Sequence, residues 1–211
     1  MARRFTDLYR RIIGFDNLWY ACRAALKGKR TKVEVARFEF HVEERLLELE
    51  HDLTARTYRP GAYRSFYIRD PKRRLISAAP FRDRVVHHAL CQVIEPLFER
   101  TFIADSFANR VGRGTHAALD RAEHFARHYR YVLQRDVRQF FPSIDNARLR
   151  TILARKLACA DTLALCDAIL DGGAGVLDGE YAQVYFPGDD LFAAARPRGL
   201  PIGGRDRKSV V

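Results

Sequence analysis

An aspartate followed five residues later by an aromatic side chain is the first feature of the sequence that could do chemistry. The segment YVLQRDVRQFFPSID (residues 131–145) places Asp136 shortly after an apolar stretch, with the aromatic pair Phe140 and Phe141 behind it. The apolar stretch predicts a β-strand over residues 129–137. A carboxylate at the end of a buried strand is costly unless it binds something.

A divalent cation is one partner that would offset this cost. Mg²⁺ prefers a few carboxylate oxygens together with substrate phosphates. Two such ions can clamp the attacking and leaving oxygens of a phosphoryl transfer. The alternative is structural, with Asp136 capping a turn or the following helix. The pattern D-x-x-x-F-F alone favours this structural alternative, so other segments must decide between the two.

The composition indicates a polyanionic partner. The chain has 211 residues, 47% of them hydrophobic, which suffices for one generous domain or two small ones. Its formal net charge of +11 favours nucleic acid, with an acidic membrane surface as the rival. No apolar run approaches the ~20 residues that span a bilayer, and the N-terminus lacks a signal-peptide core. We therefore expect a cytoplasmic protein without a membrane partner, whose four scattered cysteines are buried thiols.

The periodicity of the sequence predicts an α+β fold. A hairpin is expected from strands at 62–70 and 73–80 around a tight turn, and a further strand at 181–186. Helices and strands are segregated rather than alternating, which is typical of α+β proteins. One long amphipathic helix is predicted over residues 33–56, and another helix runs from a capping Thr115 to about Arg127. The other predicted helices cover residues 15–27, 82–100, 146–157 and 161–170.

Positive charge is concentrated around the hairpin. Residues 59–84 contain eight Lys or Arg and two acids, which gives this stretch +6 of the total +11. Such a stretch can be a phosphate-binding surface or simply a solvated charged turn, and the residues alone favour neither. The neighbouring histidines His87 and His88 face different sides of the predicted helix, so we expect them, and His116, to be structural rather than metal ligands.

Four segments standing in a fixed order resemble a known enzyme family. They are IRDPKRRLISAAPFRDRVVHHAL, FIADSFANRVGRGTH, YVLQRDVRQFFPSID and RGLPIG. Together they resemble the N-terminal two-thirds of the bacterial reverse transcriptases, a group that includes group II intron, retron and diversity-generating enzymes. The resemblance covers roughly residues 30–204. It implies a right-hand polymerase with a helical N-terminal region (1–58), fingers (59–128) and an incomplete palm with an antiparallel sheet (129–204).

The resemblance also implies roles for the opening segment. Asp136 matches the palm aspartate that binds both catalytic Mg²⁺ ions, and the carbonyl of Val137 would help to hold one of them. Phe141 matches the aromatic beneath the incoming sugar, whose bulk excludes a 2′-hydroxyl and selects deoxynucleotides. Phe140 is expected to pack in the core.

Basic residues would contact phosphates in such an enzyme. The fingers hairpin leans over the triphosphate, so Lys72 and Arg74 are the expected contacts, with Arg73 as the substitute if the register slips by one. Asp83 is expected to orient an arginine rather than to do chemistry. The remaining positions that we expect to touch nucleic acid are Arg69, Arg82, Arg110, Arg113, Gly199, Pro201 and Gly203.

The implied activity is RNA-directed DNA synthesis. The 3′-hydroxyl of a DNA primer would attack the α-phosphate of a deoxynucleoside triphosphate on an RNA template, with pyrophosphate leaving and two Mg²⁺ ions stabilising the charge. The family carries two adjacent aspartates after the segment matched by Gly199–Gly203. Asp189 and Asp190 precede that segment, so we reject them as a substitute.

The end of the chain is expected to be foreign to the gene. The residues DRKSVV equal one reading frame of a common sequencing adapter, so we hypothesise that 205–211 is a non-native tail on a gene fragment that was cut at this point. A chain without the paired aspartates is not expected to polymerise. The rival function is a non-catalytic RNA-binding protein with a polymerase-like fold. A membrane-surface protein is disfavoured because the charge lies in a hairpin rather than along an amphipathic helix.

Overall fold

A computed structural model of the chain describes residues 4–69, 73–181 and 197–201. These residues combine nine α-helices with one two-stranded antiparallel sheet. None of the described helices is long and apolar enough to cross a membrane. In chain order the elements are α1 (Leu8–Ile13), α2 (Phe15–Leu26), α3 (Val33–Phe40), α4 (Val42–Thr54), β1 (Arg64–Arg69), β2 (Arg73–Ala78), α5 (Phe81–Glu99), α6 (Thr115–His128), α7 (Phe140–Ser143), α8 (Asn146–Ala154) and α9 (Ala160–Gly172).

The chain forms two compact units. The first joins Met1–Ile94 to Gln139–Arg205, and the second contains Glu95–Arg138. The chain therefore passes from the first unit to the second within α5 and returns between Arg138 and Gln139. The assignment of the chain to a helical region, fingers and palm stays a prediction, as does the right-hand polymerase fold.

Helix α1, which the sequence pattern did not predict, contacts three other helices of the first unit. It packs against α2, α4 and α9, and α2 packs against α4 in turn. The buried side chains recur at helical spacing, as in Leu46, Leu49 and Leu53 of α4, which are completely buried. Each such leucine stabilises the fold by about 1.5–3 kcal/mol relative to an exposed position.

The single helix predicted over residues 33–56 is wrong, because the chain turns at His41. The backbone of His41 has φ −114° and ψ 36°, outside the helical region, so α3 ends at Phe40 and α4 begins at Val42. The turn divides the predicted apolar stripe between two helices. Phe38 then meets the first residue of α5, Phe81, edge to face at 4.9 Å between ring centres.

The predicted hairpin is present. Strands β1 and β2 pair antiparallel from Arg64 opposite Ala78 to Arg69 opposite Arg73, and the turn at 70–72 lies outside the described residues. Near its base the hairpin turns one face inward. There the hydroxyls of Ser65 and Ser77 lie 2.8 Å apart, with Ser77 fully buried.

A buried carboxylate connects the start of the hairpin to α5. Asp83, in the first turn of α5, accepts a hydrogen bond from the Tyr58 hydroxyl at 2.9 Å and another from the Gly61 amide at 2.7 Å. Both Asp83 and Tyr58 are buried. Burial, together with the Asp83 carboxylate, raises the pKa of Tyr58 far above its usual value, so the phenol remains a hydrogen-bond donor.

The strand predicted over residues 129–137 is wrong. These residues form neither helix nor strand, and Tyr131 and Val132 are each 85% exposed. A strand requires a hydrogen-bonding partner, and in the described ranges β1 and β2 pair only with each other. The argument that Asp136 ends a buried strand is therefore wrong as well.

The sequence also predicted a helix cap at Thr115 and a strand at residues 181–186. Thr115 is the first residue of α6 rather than its cap, since Gly114 occupies the cap position. The strand predicted at 181–186 lies almost entirely outside the described residues.

Replacing the buried carboxylate of Asp83 should make the first unit less stable to unfolding. We expect Asp83→Ala to lower the free energy of unfolding by about 1–3 kcal/mol, because it leaves the buried Tyr58 hydroxyl and the Gly61 amide without their acceptor. We expect Tyr58→Phe to lower it by about 1 kcal/mol. Urea unfolding followed by circular dichroism measures both changes.

The matched control is Asp171→Ala, which removes an exposed carboxylate from α9 in the same unit. We expect it to change the free energy by no more than about 0.5 kcal/mol. Equal effects of Asp83→Ala and Asp171→Ala would contradict the role given to Asp83.

Candidate nucleic-acid interface

Two exposed arginines face each other at the tip of the hairpin. Arg69 and Arg73 are directly opposite in the strand register and therefore point to the same face, whereas Arg74 lies on the other face opposite Ile68. All three arginines are exposed. Like charges placed directly across a sheet repel each other, so this end of the hairpin favours an anion that binds between them. Lys72 lies outside the described residues.

The aromatic ring of Tyr67 contacts one of these arginines, Arg73. The guanidinium of Arg73 lies 3.8 Å from the centre of the Tyr67 ring, a cation–π contact. The Tyr67 hydroxyl in turn contacts the Glu180 carboxylate at 2.5 Å, and this hydrogen bond raises the pKa of Tyr67. The Tyr67 side chain therefore contacts Glu180 through its hydroxyl and Arg73 through its ring.

The opposite face of the hairpin alternates aromatic, aliphatic and basic side chains. Phe66 is 43% exposed and pairs with Ile76, while Arg64 and Arg74 lie at neighbouring positions on the same face. Exposed aromatic rings between arginines can stack on unpaired bases while the arginines bind phosphates. Sequence reasoning missed Phe66, Tyr67 and Arg64, although the alternation of side chains along β1 could have indicated them.

Arg82 is engaged within the protein. Its guanidinium lies 2.5 Å from the Asp52 carboxylate, 3.8 Å from Asp83, and above the Tyr58 ring. It therefore connects α5 to α4 and to the residues that precede the hairpin. A contact between Arg82 and nucleic acid stays a prediction.

Arg110 and Arg113 shape a loop in the second unit. Arg110 donates to the carbonyls of Ile103 and Ser106, each at 3.1 Å, and lies 3.6 Å from the Glu99 carboxylate, with its side chain only 13% exposed. Arg113 donates to the carbonyl of Ala104. These bonds use several of the donors that a phosphate would need, so a nucleic-acid role for either arginine also stays a prediction.

Asp136 and Val137 stand on an exposed segment without regular structure. Both side chains are exposed, and Val137 is 63% accessible. In the described ranges, no three His, Cys, Asp or Glu side chains come together in a way that could hold a metal ion. The residues that the structure describes therefore do not fit a site for two Mg²⁺ ions, which needs several carboxylate ligands.

The second acid of the opening segment has a structural role. Asp145 precedes α8 and accepts a hydrogen bond from the amide of Arg148 at 3.0 Å, which is the geometry of an N-cap. The sequence raised helix capping as an alternative role for Asp136. In the structure, Asp145, nine residues further along the chain, caps the helix.

The structure brings together the two segments that carry the predicted positions Phe141 and Gly199. The Gly199 amide donates to the Ile144 carbonyl at 2.8 Å, and the Leu200 amide donates to the Phe141 carbonyl at 3.0 Å. Pro201 lies beside Leu200 in the same segment, whereas Gly203 lies outside the described residues. The FFPSID and RGLP segments are therefore held together by backbone hydrogen bonds.

The two phenylalanines of this region are both open to solvent. Phe140 is 53% and Phe141 46% exposed, and their rings meet edge to face with centres 5.3 Å apart. The prediction that Phe140 packs in the core is wrong, because the short helix α7 buries neither ring. The sugar-contacting role of Phe141 stays a prediction.

Gly199 is required by its backbone and by its neighbours. Its φ of +93° is one that side chains with a Cβ rarely adopt, and a Cβ would lie 2.8 Å from Leu177 Cδ1 and 3.2 Å from the Pro142 carbonyl oxygen. Only glycine allows the RGLP segment to approach α7 this closely.

Substitution of Gly199 should loosen this contact. We expect Gly199→Ala to lower the free energy of unfolding by more than Gly28→Ala does. Gly28 also has a positive φ, of +72°, but a Cβ there meets nothing within 4 Å. Backbone strain of about 1 kcal/mol should be common to both variants, and the steric clash should add to it only at Gly199. Paired urea unfolding curves measure the difference, and equal effects would contradict the close packing.

No family model matches the chain. The chain is 33% identical, over 92 residues, to a protein of Arabidopsis thaliana, nuclear intron maturase 2, mitochondrial. The match covers 36% of this chain, and the chain spans about an eighth (12%) of that protein's length. This partial similarity supports a distant relation to maturase- and reverse-transcriptase-like proteins.

Proposed function

We propose that this chain binds RNA through its hairpin, as part of a protein related to reverse transcriptases and intron maturases. The observation that carries the proposal is the pair of opposed arginines, Arg69 and Arg73, with Tyr67 beneath Arg73. The relative is a nuclear intron maturase, which makes intron RNA a candidate ligand.

The charge of the hairpin supports this function physically. A phosphate between Arg69 and Arg73 would relieve their repulsion, and the planar guanidinium can bind phosphate oxygens with two parallel hydrogen bonds. The exposed Phe66 on the other face offers a ring for an unpaired base. Binding of this kind releases counterions, so it weakens steeply as salt is added.

Removing the hairpin charges should weaken RNA binding and flatten its salt dependence. We expect Arg69→Gln and Arg73→Gln each to lower the affinity for a structured RNA. Each should also reduce the slope of log affinity against log salt by about 1, because one phosphate contact is lost. Fluorescence anisotropy at several salt concentrations gives both quantities.

The matched control is Arg45→Gln, which removes an exposed arginine of α4 that is paired with Glu48 at 2.9 Å. We expect it to leave the slope unchanged. If all three variants lose the same affinity, binding follows net charge alone and the hairpin is not the site.

A second candidate is RNA-directed DNA synthesis, with an RNA template, a DNA primer and deoxynucleoside triphosphates. It is favoured by the backbone hydrogen bonds between the segment that carries Phe141 and the segment that carries Gly199 and Pro201. The family resemblance places these three positions near the nucleotide or the nucleic acid. Asp136 would be one metal ligand in such an enzyme. Because the described residues do not complete a Mg²⁺ site, we derive no catalytic step for this chain.

Primer extension separates the two candidates. With an RNA template, a DNA primer, Mg²⁺ and deoxynucleotides, we expect no extension by the 211-residue chain, because a single carboxylate cannot hold two metal ions in register. Extension that disappears in Asp136→Asn would contradict this expectation and establish the polymerase. RNA binding by a chain that does not extend the primer supports the first candidate.

A further inference from the structure

Two histidines lie one turn apart near the end of α6, in the second unit. His124 and His128 have ring centres 4.4 Å apart, with 36° between the ring planes, and both residues are exposed. Side chains four residues apart share one face of a helix, so both imidazoles can reach the same point in solvent. The same spacing places the two zinc-binding histidines of the H-E-x-x-H motif on one helical face.

A hydrogen bond orients one of the two rings. The Nδ1 atom of His128 lies 2.7 Å from the carbonyl oxygen of His124, a contact in which Nδ1–H donates. In the neutral imidazole this leaves the lone pair on Nε2, which is free to bind a metal. Metal-ligating histidines commonly have their tautomer fixed by a bond of this kind to a backbone carbonyl.

Two of the arginines beside the histidines are paired with carboxylates. Arg121 binds the Asp105 carboxylate at 2.7 and 3.2 Å, and Arg127 forms an ion pair with Glu123. The histidines also lie near the C-terminal end of α6, where helix carbonyls favour a cation. The electrostatic surroundings therefore allow a divalent ion to approach.

We propose that His124 and His128 form a surface site for a transition-metal ion, of the class of Cu²⁺, Ni²⁺ and Zn²⁺. Imidazole nitrogen suits these metals, whereas Mg²⁺ prefers oxygen ligands. Since the described residues hold no group of three or more such ligands, water completes the coordination. None of the described residues of α6 is buried, so a metal that bridges its last turn should also raise its helix content.

Copper titration with matched histidine variants tests the site. By isothermal titration calorimetry at neutral pH, we expect His124→Ala and His128→Ala each to weaken Cu²⁺ binding by about tenfold or more, since each removes one of two protein ligands. The control is His116→Ala on the same helix, which has Asp120 rather than a histidine four residues on. It should change the affinity less than about twofold.

Far-ultraviolet circular dichroism provides a second readout. Zn²⁺ should increase helicity in the wild type and in His116→Ala, but not in the other two variants. Alanine has the highest helix propensity, so the substitutions themselves should not unfold α6. Copper affinity that is unchanged in both His124→Ala and His128→Ala, or lost equally in His116→Ala, would overturn the proposal.

Discussion

The buried carboxylate of Asp83 is the constraint on which the candidate interface depends. It accepts hydrogen bonds from the Tyr58 hydroxyl and the Gly61 amide, and it thereby fixes the chain entering β1 against the first turn of α5. An ionised group is tolerated in a protein interior when hydrogen bonds and nearby charge compensate it, and Arg82 supplies that charge at 3.8 Å. The chain entering the hairpin is consequently bonded to α5, while the hairpin tip keeps exposed arginines that repel one another.

Elements whose signal is local could be predicted from the sequence. Helices α2, α5, α8 and α9 follow from their apolar spacing, and the hairpin follows from two β-rich runs around a turn. The break at His41 could not be predicted, because the apolar stripe continues across it. The contact between Phe38 and Phe81 joins residues far apart in the sequence, so no local pattern indicates it. Residues 129–137 have a strand-like composition, but in the described part of the chain they have no strand to pair with. Composition alone does not show whether a pairing strand is present.

The candidate site could be predicted less fully than the fold. Basic character pointed to the hairpin, whose role in binding stays a prediction. Charge alone did not distinguish the exposed Arg73 from Arg82 and Arg110, whose guanidiniums bind groups within their own units. That distinction depends on carboxylates and carbonyls distant in sequence. Conversely, the requirement for glycine at position 199 arises from a positive φ and from the nearby Pro142 carbonyl, neither of which is visible in the GLPIG motif itself.

Hydrogen–deuterium exchange in the presence and absence of a structured RNA is the most direct test of the central claim. If the hairpin is the RNA-binding surface, RNA should slow exchange at the amides of Arg64–Arg69 and Arg73–Ala78 and leave α9, in the same unit, unchanged. Protection that appears only outside the hairpin, with both strands exchanging as fast as in the free protein, would contradict the account.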